Sequence, residues 1–286
     1  MRILILQSAG KHRENAHYRE ALSLDRALNG IEGVTSVVWG HGYPNYATDF
    51  ETMVKAFDCV LLLENYSSTP WVPDMSGLKK LKLFWSIDAH VVFSRHAGIV
   101  KQHKIDAVLS STSIYKDKFG VKGYWFPNCY DDTLVKYMPE VEKAHNVGFC
   151  GNHVNRGQWI NRLAHDMKMK VDVMVIGDSM VRAVNSYKIH WNRNYSTDLN
   201  YRTFETLGCK TALLTNNTDK LSSMFTIGRH LLTYKDYADC CDKIRFLLKN
   251  DKARNDMAEA GYNHVIKNHT YKNRARLLVD IIKERI

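Results

Sequence analysis

The chain has 286 residues, 45% of them hydrophobic and 24% charged, with a formal net charge of +10. Those proportions exclude a disordered chain and a disulfide scaffold, and the length suits two domains better than one. No apolar run approaches the ~20 residues of a membrane span, and the first residues enter a strand pattern without a signal-type cleavage site, so no membrane span and a cytoplasmic location are expected.

In chain order, short apolar β-rich runs alternate with helical patterns. Residues 3–6, 34–39, 59–63, 81–85, 107–110 and 123–126 read as strands, with an amphipathic helix over 18–28. Continuous apolar strands flanked by such helices mean a parallel sheet covered on both faces. The rhythm restarts at 147–150 and continues at 171–176, 188–191, 210–214 and 230–233. Two successive Rossmann-like units are the simplest account, an α/β fold. All five prolines lie in the first 140 residues and a charged segment follows them, which places a linker near 132–145 and domains at 1–138 and 139–286. Three helical patterns close the chain, at 237–249, 252–268 and 271–285. The last carries Leu277, Leu278, Ile281 and Ile282 at helical spacing and is expected to pack on a domain surface.

The six cysteines form no C-x-x-C pair and the 13 histidines no H-E-x-x-H, so reduced thiols and no metal site are expected. The positive excess is C-terminal: residues 1–140 hold 16 Lys and Arg against 15 Asp and Glu, and residues 141–286 hold 24 against 15. Such a surplus attracts a nucleotide diphosphate, a nucleic acid backbone or an anionic surface, and it is equally the mark of a solvated basic face.

Ligands of an open parallel sheet bind beyond the carboxyl ends of its strands, which selects four loops. In the first, Gly10 permits a tight turn ahead of Lys11 and Arg13; the absence of G-x-G-x-x-G argues against a nicotinamide or flavin dinucleotide, and an ordinary strand-to-helix turn is an equal account. The second, FWSIDAH, places Asp88 and His90 after a buried strand, where either can take a proton from an attacking hydroxyl or Asp88 can cap the next helix. The third, VGFCGNHVNRGQW, offers Gly148, Gly151, Asn152 and Arg156 as a diphosphate cradle or as a glycine turn with a solvated arginine. In the fourth, Asn200 leads into a helix carrying Arg202, Thr203 and Glu205. Its amides and Arg202 can meet phosphate oxygens and Glu205 both hydroxyls of a ribose, while the i, i+3 spacing also allows a plain intrahelical ion pair.

The run NYRTFETLGCKTALLTN resembles the Arg-x-Phe-Glu element of GT-B glycosyltransferases of the spore-maturation-protein-like, family 1-like branch. VGFCGN at the opening of the second domain, VIGD as the end of its second strand, and the closing DKARNDMAEAGYNHVIKNHTYKNRA extend the likeness, as do FWSIDAH and WFPNCYDD more loosely in the first half. The chain departs from the pattern at Lys210, which follows Cys209 where the family often has glycine. The resemblance implies two Rossmann-like domains facing across a cleft, with the C-terminal helix returning to the N-terminal, acceptor-side domain. It implies transfer of a sugar from a nucleotide-diphosphate sugar, with UDP as the expected nucleotide and no bound cofactor or metal. By it, Glu205 binds the donor ribose, Arg156, Arg202 and the Thr203 amide hold the diphosphate, and Asp88 faces the acceptor.

Short basic members of the branch are similar to glycosyltransferases of large tailed phages, some of which modify hydroxymethylated pyrimidines in DNA. The likeness thus implies duplex DNA as partner, in a host cytoplasm, with Tyr43, Tyr46, Tyr66 and Trp71 available to stack on a base or to pack in the core. A surface polysaccharide or protein acceptor, an inactive sugar-nucleotide- or DNA-binding module, and an oxidoreductase are the rival readings, the last opposed by the absent dinucleotide fingerprint.

Overall fold

The computed structural model describes residues 1–63 and 71–286 and resolves two compact units, one of residues 1–127 with 271–286 and one of residues 128–270. Tyr66 lies outside the described residues. The first unit holds β1 (Arg2–Leu6), α1 (Glu20–Asn29), β2 (Thr35–Trp39), α2 (Phe50–Val54), β3 (Cys59–Leu62), β4 (Leu81–Ser86), α3 (Ala89–Gln102), β5 (Ala107–Ser110) and β6 (Lys122–Trp125). Its strands form one parallel sheet in the order β2-β1-β3-β4-β5-β6. Leu4, Leu6, Val60, Phe84 and Val108 project from it into a core shared with Trp39 and Phe50. Tyr46 and Trp71 pack against Trp39 with ring centroids 4.9 and 6.3 Å away, so both serve as packing aromatics.

The second unit holds β7 (His145–Gly151), α4 (Gly157–Asp166), β8 (Lys170–Val173), α5 (Gly177–Asn185), β9 (Tyr187–Trp191), α6 (Tyr201–Gly208), β10 (Ala212–Asn216), α7 (Leu221–Met224), β11 (Leu232–Tyr234), α8 (Tyr237–Lys249) and α9 (Asp251–Asn268). Its sheet is also parallel, in the order β11-β10-β9-β7-β8. β8 stops at Val173 because Met174 takes a left-handed φ of +58°, so the VIGD stretch lies beyond the strand and opens α5. Glycine at 208 is required by a close approach: a Cβ there would meet the Tyr130 ring at 2.4 Å. Lys210 adopts φ +52° in the turn to β10, the left-handed conformation that glycine takes without strain.

The charged stretch that suggests a linker is packed. Asn128 Nδ2 donates to the Leu199 carbonyl at 3.0 Å, Met138 N–H to Asn185 Oδ1 at 2.9 Å, and Lys143 Nζ to Thr211 Oγ1 at 2.8 Å. These donors, two side chains and one backbone N–H, find acceptors within the second unit, and the division falls after Pro127 rather than near 138. The last helix, α10 (Tyr271–Arg285), belongs to the first unit. It packs on α1 through a face that includes Ala275, Leu278, Ile281 and Ile282, and it is pinned by Arg274 to the Pro127 carbonyl at 2.7 Å and by Tyr124 to Glu284 at 3.0 Å. Leu277 instead points outward, because one residue of helix turns it 100° from Leu278. All six cysteines are buried free thiols. Among the described residues no helix is long and apolar enough to cross a membrane.

Candidate functional site

In the second sheet the first strand, β7, pairs with β8 on one side and β9 on the other, so the order reverses between β7 and β9. The carboxyl ends of those two strands define the crevice in which a parallel sheet of this kind holds ligands. Gly151 ends β7 at φ +156°, a backbone setting that excludes a side chain and exposes the strand end. Asn152 follows, its side chain accepting the Val154 N–H at 2.9 Å. Arg156 stands one residue ahead of α4 and turns back across the crevice: one Nη donates to the Asn152 carbonyl at 3.0 Å and Nε to the Arg193 carbonyl at 2.7 Å. It thereby ties the loop after β7 to the segment after β9, and burial pulls its basicity below the ordinary arginine value.

Beyond β9 lies a cluster of amides and hydroxyls in which Asn200 and Thr203 are joined by Asn192, Asn194, Thr215 and Asn216, which the sequence does not single out. Asn192 Nδ2 lies within 3.2–3.4 Å of the side-chain oxygens of Asn194, Asn200, Thr203 and Thr215. Asn194 N–H donates to Asn216 Oδ1 at 2.7 Å, and Asn216 returns a bond to the Asn194 carbonyl at 3.2 Å. Tyr234 closes the cluster from β11 by donating to the Asn192 carbonyl at 3.1 Å. Asn192, Asn194, Thr203 and Thr215 are all buried, where an unbonded amide costs about 1–3 kcal/mol, so the mutual bonding fixes their positions. Asn200 is the N-cap of α6 and accepts the Thr203 N–H at 3.2 Å. The Thr203 amide is therefore spent on the cap, and its expected contact with a diphosphate would need that bond to open.

Arg202 and Glu205 sit one turn along α6, paired at 2.7 Å with side chains only 18% and 17% exposed. Arg202 Nε also donates to the Cys150 carbonyl at 3.0 Å, which lays the guanidinium over the end of β7. Burial disfavours its charge, and Glu205 with its other neighbours more than restores it. Beneath this pair, His190 Nε2 accepts the Cys150 N–H at 3.2 Å, so the proton resides on Nδ1 and is donated to Thr206 Oγ1 at 2.5 Å. Burial, and then the Arg202 charge, hold this histidine well below 6.5 and neutral. A polar residue in an apolar strand was the only sign of it in the sequence.

The other expected residues belong to the first unit. Gly10 lies at φ +82° in the exposed loop after β1, and Gln7 at that strand's end donates to Glu20 at 2.9 Å and accepts the Ala21 N–H at 2.9 Å. Asp88 follows β4 at a left-handed φ of +53° and makes no capping bond to α3 with its side chain, against the capping alternative. His90 stands in the first turn of α3, held below the ordinary histidine value by burial against the opposing pull of Asp88. Behind them Ser86 and His96 form a buried pair at 2.8 Å.

The sequence model of a glycosyl transferase-like family matches residues 134–280. No curated protein matches the sequence. Among solved structures, sucrose-phosphate synthase from Thermosynechococcus elongatus superposes with a TM-score of 0.69 at 10% identity, over 99% of this chain and 98% of that one. A glycosyltransferase from Rickettsia africae gives 0.66 at 11% identity over 99% and 98%, and HepE from Anabaena, in complex with UDP and glucose, gives 0.65 at 11% over 99% and 100%. At such identities the likeness is one of fold, and it spans both units.

Proposed function

The chain belongs to the glycosyl transferase-like family and has the GT-B fold, and we propose that it moves a sugar from a UDP-sugar to an acceptor hydroxyl. The observation that carries this reading is the half-sequestered Arg202–Glu205 pair at the strand-order reversal of the second sheet. A carboxylate there can accept both ribose hydroxyls, and a guanidinium released from it can take the diphosphate. HepE, solved with UDP and glucose, supports uridine as the nucleotide.

In this mechanism Arg202 and Arg156 meet the charge that grows on the departing diphosphate, and the end of α6 adds its dipole. Arg156 is tied to the Asn152 and Arg193 carbonyls and Arg202 to the Cys150 carbonyl before a ligand arrives, so their positions are largely set in advance. Asp88 accepts the proton of the acceptor hydroxyl as its oxygen bonds to the anomeric carbon, while the bond from that carbon to the diphosphate oxygen breaks and UDP leaves. His90, neutral near pH 7, is the neighbouring hydrogen-bonding group.

Nucleotide sugars screened by thermal shift, with release of nucleoside diphosphate as the second readout, test the reading. UDP-sugars should raise Tm above the other nucleotides and yield UDP. A chain that binds without releasing UDP in the presence of any hydroxyl acceptor would be a binding module. As acceptor we propose a hydroxymethylated pyrimidine in duplex DNA, for which the net charge of +10 supports only the polyanionic partner. Binding to such DNA should weaken steeply between 50 and 200 mM salt, by about 10³-fold or more for six phosphate contacts. A salt-insensitive interaction would leave polysaccharide or protein as acceptor.

A further inference from the structure

A second cationic cluster lies at the opposite, N-terminal edge of the same sheet. Lys143 precedes β7, Lys188 is the second residue of β9 and Lys210 precedes β10, and these three strands are neighbours in the order β10-β9-β7. With Arg254 of α9 they line a pocket of about 310 Å³ whose only carboxylate is Glu259.

The charges there are only partly compensated. Lys143 Nζ donates to the carbonyls of Asn185 and Tyr187 at 3.2 and 3.1 Å and to Thr211 Oγ1 at 2.8 Å, all neutral acceptors. Burial, with the Arg254 charge acting in the same direction, pulls its ammonium down to about 8. Arg254 pairs with Asp251 at 2.6 Å, and Lys210 pairs with Glu259. Lys188 is half-buried and has no carboxylate partner among the described residues. Lys210 also lies over the Tyr137 ring, 5.1 Å from its centroid, and Tyr137 is itself 38% exposed. Lys210 holds this place at φ +52°, where the backbone favours glycine.

Four cations against Glu259 and Asp251 leave two positive charges in excess, which suits a compact dianion; Lys143 contributes charge while its N–H groups are taken, and Lys188 and Lys210 are the point donors for phosphate oxygens. The volume exceeds that of a phosphate alone, and a tyrosine face with Ala212 and Ala258 beside it offers the kind of surface on which a sugar ring packs. We propose that this pocket is a second anion site that takes a phosphate monoester on a sugar-sized group, apart from the edge at which Arg202 and Glu205 stand. Occupancy here stabilises β7, β9 and β10 from the end opposite the donor crevice.

Calorimetry and thermal shift on the full chain test it, with inorganic phosphate, sulfate, glucose 6-phosphate and neutral glucose as probes and UDP as the control for the other edge. Glucose 6-phosphate should bind saturably and at least 5-fold more tightly than inorganic phosphate or sulfate, and glucose should not bind. Lys188→Glu should weaken that binding at least 10-fold and Lys188→Arg should restore it, while the Tm of both unliganded variants and their affinity for UDP stay as in the native chain. Saturable binding of inorganic phosphate and glucose 6-phosphate with equal affinity would overturn the ester. Equal affinity of native chain and Lys188→Glu, or no saturable binding of any anion, would overturn the site, whatever UDP does.

Discussion

At the carboxyl edge of the second sheet, Asn192, Asn194, Asn200, Thr203 and Thr215 bond one another within 3.4 Å, and Arg156 and Arg202 are each tied to backbone carbonyls. At the same edge of the first sheet, Asp88 and His90 stand on a single turn, with the backbone of Asp88 in a left-handed conformation that costs a non-glycine residue about 1–2 kcal/mol. One edge has its geometry fixed by a shared polar network, the other by local backbone strain. Under the proposed function the first is built to hold a ligand in place and the second to present a reactive group. Substitutions should separate the two: those on the second sheet change affinity and stability together, those on the first change turnover alone.

The largest effect is expected at Asp88. Asp88→Asn should lower kcat by about 10²–10⁴-fold, the usual contribution of a positioned base, with UDP affinity unaltered. Native turnover in that variant would remove Asp88 from the chemistry, and a parallel loss of UDP affinity would erase the contrast between the edges. Next comes Glu205→Ala, which should raise the Kd for UDP by about 10–100-fold, as expected when a charged hydrogen-bond acceptor is lost. Glu205→Gln should recover part of it. An unchanged Kd by calorimetry would show that the α6 pair is structural.

A smaller effect is expected at the N-cap. Asn200→Ala frees the Thr203 N–H and should cost about 1 kcal/mol of stability by denaturant titration, with a weaker hold on UDP because the cluster loses one of its members. A stable variant with native UDP affinity would show that the cluster does not preorganise the crevice. The smallest is the pH response. His190 has its folded value held well below 6.5, so its unfolded form binds the proton first. Stability is then fully present above pH 6.5 and declines as pH falls below it. Tm measured from pH 7.5 to 5 should drop, and the drop should be shallower in His190→Gln; identical slopes would assign the loss to other groups.

Much of this architecture could be read from the chain. Strands of a doubly covered parallel sheet are continuous apolar runs, and 107–110 and 59–62 stand out for that reason. Arg202 and Glu205 were legible because the pair is contiguous on one helix and the run around it resembles a family element. Of the asparagine cluster, only Asn200 and Thr203 were, through that same run. The other members, Asn192, Asn194, Thr215 and Asn216, carry no pattern in isolation, and only the pairing of β9 with β10 brings them to one edge. The end of β8 was overrun because Val175 and Ile176 continue an apolar pattern, while the break is made by the backbone of Met174. The boundary near 138 was misplaced because charge reads as solvation, whereas Lys143 spends its ammonium on buried acceptors.

The placement of α10 has a consequence for synthesis. Residues 128–270 form a contiguous unit bracketed by two stretches of the other one, so a growing chain can complete the inner body while the outer one still lacks its final helix. Leu24 and Leu28 lie buried on α1, which packs on β2 early in the chain but receives the rest of its cover only from α10, residues 271–285. Loss of residues 271–285 would therefore uncover part of α1 in the first unit, although the second unit is the one that precedes them in the chain.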